Sequence, residues 1–166
     1  MQQLDIVFKT EYTRIVAMLV KRFGYAHLGL IEDAIQEAFY KAARLWPMQP
    51  PNNPKAWIVR VTQNNLLDLL KRAERKNLQL DGMPAEAVPA GFLEAEYADE
   101  NEIADSQLKM LFACCHPELS STDQLILNLK FNCGFGVRQI ARALMKSPAA
   151  IEKAVTRARQ RLQTTV

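Results

Sequence analysis

The sequence predicts an all-α protein: two small helical domains joined by an acidic linker, the second ending in a helix-turn-helix. Three observations predict it. Apolar residues recur at three- and four-residue spacing along most of the 166-residue chain, and no strand pattern emerges. Charge falls into three blocks: residues 1–76 hold 12 Lys/Arg and 7 Asp/Glu, residues 77–107 hold 8 Asp/Glu and no Lys/Arg, and residues 108–166 hold 9 Lys/Arg and 3 Asp/Glu. The third observation is a Ser-Pro restart between two short amphipathic stretches near the C-terminus. Two basic blocks around an acidic one suit two polyanion-facing modules and a tether that does not adhere to nucleic acid. The expected domains are 1–76 and 105–166, with 77–104 as a flexible linker.

Leu4–Phe23 reads as the first helix, with Leu4, Val7, Phe8, Ile15, Met18 and Leu19 on one inward face. Gly24 and Gly29 bracket a break. Leu30–Trp46 follows, with Ile31, Ala34, Ile35, Ala38, Phe39 and Ala42 inward and Asp33, Gln36, Glu37, Lys41 and Arg44 outward. Four prolines in residues 47–54 stop that helix and make a semi-rigid loop. Asn53-Pro54 restarts a third helix, expected to run to about Lys76. Its residues Trp57, Ile58, Val61, Leu66, Leu69 and Leu70 spread over several faces, the pattern of burial on more than one side. It ends in the basic cluster Lys71–Lys76. Gly82, Pro84, Pro89 and Gly91 mark the linker, with a short helix expected near Phe92–Tyr97.

Asp105–Cys115 opens the second domain and Thr122–Cys133 continues it. Val137–Leu144 reads as the first helix of the helix-turn-helix, with Ile140, Ala141 and Leu144 inward. Ser147 can cap free N–H groups of the next helix, and Pro148 at its first position loses no bond. Ile151, Val155, Ala158 and Leu162 at i, i+4, i+7 and i+11 form one apolar face. Lys153, Thr156, Arg157 and Gln160 lie outside, flanked by Arg159 and Arg161. A helix of this kind fits the DNA major groove.

Cys114, Cys115, His116 and Cys133 offer zinc-ligand types, but their spacing argues against a site: adjacent helical cysteines point about 100° apart and no Cys-x-x-Cys pair exists. One of Cys114 and Cys115 is expected to pack as a small hydrophobe, with His116-Pro117 ending the helix. No metal, no cofactor and no catalytic group is expected. No apolar run reaches membrane-spanning length and no cleavable-signal pattern opens the chain, so a cytoplasmic protein without membrane insertion is expected. Three cysteines fit that reducing compartment.

Glu32–Trp46, Asn52–Arg72 and the closing helix-turn-helix together resemble a bacterial RNA polymerase sigma factor of the extracytoplasmic-function group. Leu111–Leu119, LFACCHPEL, resembles a subgroup with a Cys-Cys-His-Pro signature. The resemblance implies a transcription initiation factor, without chemistry of its own, that recruits core RNA polymerase to promoters and helps open the duplex. Asp33, Gln36 and Glu37, with Lys41 beside them, would dock on the polymerase largest subunit. The loop at residues 46–55 and the third helix would handle the −10 element. Asn52, Asn53 and Asn64 are candidates to hold bases. Arg60, Lys71, Arg72, Arg75 and Lys76 are candidates for phosphates, Asp68 could brace Arg72, and Trp57 belongs to the core. The last domain would read the −35 element through Lys153, Thr156 and Arg157, with Ser147 near a phosphate and Arg138 and Arg142 clamping the backbone. An anti-sigma protein or other regulatory partner fits the same family.

The sequence departs from the family pattern at Ala154, where Arg is usual and a DNA contact would be lost; at Met145, where Gly is usual; and at Glu152, which sets a negative charge beside the DNA-facing surface. The subgroup's long C-terminal extension does not follow Val166, so it is expected to be missing or removed. Two rival readings stay open: a helix-turn-helix regulator that never touches polymerase, and a small metal- or thiol-dependent enzyme around Cys114–His116.

Overall fold

The computed structural model describes residues 2–81 and 100–165. Among them are seven α-helices and no strand: α1 (Gln2–Phe23), α2 (Leu28–Leu45), α3 (Pro54–Asp81), α4 (Glu100–Cys114), α5 (Ser121–Leu127), α6 (Val137–Ala143) and α7 (Pro148–Thr165). A 3-10 turn (Tyr25–His27) precedes α2, and a π-type turn (Asn128–Asn132) extends α5. α3 continues five residues beyond the expected start of the linker, since no helix breaker occurs before Gly82. α4 begins at Glu100, inside the expected 77–104 linker. The short helix expected near Phe92–Tyr97 lies outside the described residues.

Contacts divide the chain into two units, Met1–Phe8 with Gly29–Ala98, and Lys9–Leu28 with Asp99–Val166. This grouping differs from the expected 1–76 and 105–166, because most of α1 sits with the C-terminal helices.

In the first unit, Ile31, Ala34, Ile35, Ala38 and Ala42 of α2 are fully buried, as are Ile58 and Leu66 of α3. Phe8 meets Phe39 edge-on at 4.9 Å between ring centroids. Three polar residues of α3 are buried too: Thr62, Gln63 and Asn65. Asn65 is satisfied on both sides, donating from Nδ2 to the Ala34 carbonyl (3.2 Å) and accepting from Lys41 Nζ (2.7 Å). Such an amide ties α3 to α2 at a fixed register, because slippage would strand a buried donor.

In the second unit, α7 packs on α5 and α6. Its core joins Ile126, Ile140, Ala141, Ile151, Ala154 and Val155. α1 is buried around most of its circumference between Glu11 and Val20, not on the one face expected. Tyr12, Val16, Ala17 and Val20 make the second face. Around that face, Thr13 Oγ1 accepts from Gln107 Nε2 (3.2 Å), Lys21 pairs with Glu102 (3.0 Å), and Lys130 Nζ lies 5.9 Å from the Tyr12 ring centroid. Gly134 adopts φ +70, a backbone conformation that L side chains rarely take, and a Cβ there would sit in ordinary contact with Thr13 and Tyr12 at 3.4 and 3.5 Å.

Candidate nucleic-acid interface

The helix-turn-helix is built by three local devices. Gln139 Oε1 accepts from the Gly136 N–H (2.8 Å) and closes the start of α6. Met145 takes φ 51 and turns the chain, after which Lys146 N–H bonds the Ala141 carbonyl at 2.9 Å. Ser147 Oγ then accepts from Ala150 N–H (3.2 Å) in front of Pro148. Together they fix α7 against α6 with Ile151, Val155, Ala158 and Leu162 buried. Lys153, Thr156 and Arg157 therefore stand exposed on the opposite face, and Arg138 and Arg142 are exposed on α6.

Three details depart from expectation. Ala154 is only 8% exposed and belongs to the core, so a small residue there serves packing against α5 and α6 and cannot be counted as a lost DNA contact. Thr156 donates its hydroxyl to the Glu152 carbonyl (2.9 Å), which leaves its oxygen as an acceptor only. Arg161, placed by its spacing on the basic flank, is paired at 2.5 Å with the buried Asp123 of α5.

On α2, Asp33, Gln36 and Glu37 are exposed opposite the buried Ile31–Ala38 seam. Tyr40 continues that outer face at 57% exposure, with the Arg44 guanidinium 5.7 Å from its ring centroid. Lys41 differs from its neighbours: it is half-buried, bonded to Asn65 and 3.8 Å from Glu37, so it braces the outer face from behind.

The proline loop is anchored at its start by Trp46, 8% exposed and edge-on to Trp57 at 5.6 Å. The Trp46 indole N–H and the Thr62 hydroxyl are buried without a hydrogen-bond partner among the described residues. Asn53 ends the loop as the cap of α3, its Oδ1 accepting from Ala56 N–H (3.1 Å), which leaves its amide NH2 facing out. Asn52 is exposed without such a task in the cap. Along α3, Arg60, Asn64, Lys71 and Arg75 are exposed at i, i+4, i+11 and i+15. That spacing is one stripe, about 22 Å long at 1.5 Å per residue. Arg72 is exposed on its flank.

The cysteines are separated by burial. Cys114 is fully buried, and burial, with Cys115 beside it, pushes its thiol up to about 12. Cys115 and Cys133 are exposed, and Cys115 Sγ accepts from Asn128 Nδ2 at 3.3 Å. His116 lies past the end of α4, with its Nδ1 accepting from Glu118 N–H. Among the described residues no group of three His, Cys, Asp or Glu side chains could hold one metal ion, and no helix is long and apolar enough to cross a membrane.

Sequence reasoning missed Asn65 and Asp123, both polar and buried. Asn65 stands next to a residue it did single out and Asp123 lies in a stretch it assigned to the second domain, but nothing local marks which of Asn64 and Asn65 turns inward except the apolar phase of Leu66 and Leu70.

Two family models match the chain, one described as Sigma-70 region 2 over residues 8–76 and one as Sigma-70, region 4 over residues 109–162. The exposed α2 and α3 residues fall in the first match and those of α6 and α7 in the second. The acidic stretch lies between them. Over 165 residues the chain is 34% identical to a protein of Rhizobium meliloti (strain 1021) described as uncharacterized. That alignment takes in 96% of this chain and 38% of the relative, so the chain spans well under half the length of the curated protein it matches.

Proposed function

The chain belongs to the sigma-70 family, with region 2 preceding region 4, and on that premise we propose that it is a transcription initiation factor of the extracytoplasmic-function type. It recruits core RNA polymerase to specific promoters and assists their opening. Leu111–Leu119 assigns it to the subgroup with the Cys-Cys-His-Pro signature. Its work is binding: free energy from contacts to bases in their unstacked state shifts the duplex toward the open form.

The observation that carries this reading is the one-sided burial of α7, which leaves Lys153, Thr156 and Arg157 on a single exposed face. An exposed cationic face on a rigid helix backed by a hydrophobic seam is what major-groove entry requires. Arg138, Arg142 and the Ser147-capped start of α7 then hold phosphates. In the first unit, the exposed Asp33, Gln36 and Glu37 form the polymerase-docking face, with Lys41 fixing it from behind. Asn52, Asn53 and Asn64 receive unstacked bases, and Arg60, Lys71 and Arg72 follow the strand's phosphates. The acidic segment between α3 and α4 joins the two modules, and an anti-sigma protein or other regulator sets the factor's availability in the cytoplasm.

The test is co-purification with core RNA polymerase followed by selection of DNA from a random duplex pool. Polymerase capture that is lost on charge reversal of Asp33 and Glu37, in a variant whose helicity is intact, supports the reading. A chain that selects a DNA motif but never captures polymerase is instead a simple helix-turn-helix regulator.

A further inference from the structure

We propose that Asp123 and Arg161 form a strut that sets the rotational phase of α7, making them positioning residues for DNA reading; the inference rests on α7 being the recognition helix. In sequence, Arg161 is the last of the cations Lys153, Arg157, Arg159 and Arg161, and looks like one more phosphate contact. In the structure its Nη1 lies 2.5 Å from Asp123 Oδ2. The Asp123 side chain is only 3% exposed, and its own backbone N–H is held by Ser120 Oγ at 3.2 Å. The carboxylate is thus fixed in the first turn of α5 and pointed at α7.

A carboxylate this deep is unfavourable unless paired, and its partner Arg161 stays half exposed, a position from which an ion pair returns little net stability. Stability alone therefore gives little reason for it, whereas orientation does. The seam of Ile151, Val155, Ala158 and Leu162 resists separation of α7 from its neighbours, but apolar contact is non-directional and sets the roll of a helix about its own axis less sharply than a charge-assisted hydrogen bond does. A roll of about 20° moves a side-chain tip about 6 Å from the helix axis by about 2 Å, enough to break a hydrogen bond. Lys153 and Thr156 would lose their registry with base edges while Arg157 stayed close to phosphate. A directional ion pair at the far end of the helix removes that freedom. Gln163 Nε2, donating to the Ala26 carbonyl at 3.1 Å, is a second polar tie at the same end.

The experiment uses the whole 166-residue chain with core polymerase. A duplex enriched by the wild type from a random pool is compared with a scrambled duplex, in titrations at several salt concentrations. Asp123→Asn should lose about tenfold on the enriched duplex and under about twofold on the scrambled one, and its salt slope should steepen by about one as Arg161 is released toward phosphate. The double variant Asp123→Leu/Arg161→Met keeps the contact apolar; it should recover thermal stability without recovering discrimination, and Arg161→Lys should recover part of both. If the double variant restores discrimination, the pair is only a stabilising contact. If Arg161→Met weakens both duplexes equally and lowers the salt slope by about one, Arg161 is a phosphate ligand and the proposal fails. A wild-type pool with no motif overturns the recognition-helix reading itself, together with the strut that depends on it.

Discussion

α3 and α7 are both basic amphipathic helices, yet the structure treats them differently. α7 is buried along one seam, which includes Ala154 and Val155, and keeps Glu152, Lys153, Thr156 and Arg157 exposed on its outer side. α3 is buried more broadly and carries Thr62, Gln63 and Asn65 inside. The difference suits two kinds of nucleic-acid contact. A helix entering a groove must project free of its domain, whereas a helix that supports a loop and a displaced strand needs rigid fixing to its neighbours. Removing an apolar anchor should therefore harm α7 most, and removing a polar one should harm α3 most.

The largest effect is expected at Leu162, fully buried at the end of the α7 seam. Leu162→Ala should cost about 2–5 kcal/mol, read from denaturant unfolding of the full chain. A loss under about 1 kcal/mol would mean the seam collapses around the gap and α7 is not rigidly held. In α3 the sharper contrast is between neighbours. Asn65→Ala removes both the tie to the Ala34 carbonyl and the acceptor of Lys41 and leaves a gap in a buried position, and should cost about 1–3 kcal/mol, whereas Asn64→Ala on the exposed stripe should stay within about 0.5 kcal/mol. Equal effects at the two positions would remove the distinction between the helices.

DNA binding sharpens the comparison further. Arg157→Ala is expected to weaken enriched and scrambled duplexes alike and to lower the salt slope by about one, the mark of a phosphate contact. A loss of about 1–3 kcal/mol confined to the enriched duplex would instead assign Arg157 to base reading. Titrations of the chain with core polymerase at several salt concentrations separate the two.

The α7 face was legible because four apolar residues at helical spacing define it without outside help, and all four are buried. Asp33, Gln36 and Glu37 were legible for the same reason, lying opposite a clean seam. What stayed hidden depends on contacts far apart in sequence. Arg161 looks the same in a basic run whether it faces solvent or a carboxylate 38 residues away. Ala154 was read by family position as an absent cation, and only its place among Ile126, Ile140 and Ile151 shows that it faces inward. The second buried face of α1 was missed because Tyr12, Val16, Ala17 and Val20 acquire their meaning from the partner helices, and Tyr12 and Thr13 are polar enough to pass for surface.

The smallest expected effects compare two left-handed residues in the same unit. Gly134 has φ +70 and Met145 has φ 51. A glycine takes that conformation freely, whereas an L side chain is strained there by about 1–2 kcal/mol. Met145 is 94% exposed, so its side chain gains little packing in return. Met145→Gly should recover about 1 kcal/mol, less the extra chain entropy glycine brings to the unfolded state, and raise the melting temperature by a few degrees. Gly134→Ala should do the reverse through its backbone alone, since the added Cβ would meet Thr13 and Tyr12 at ordinary contact distances of 3.4 and 3.5 Å. Calorimetry of both variants checks the pair. If Met145→Gly lowers the melting temperature, the turn before α7 is held by the methionine side chain and not against its backbone preference, and the strain assigned to this position is absent.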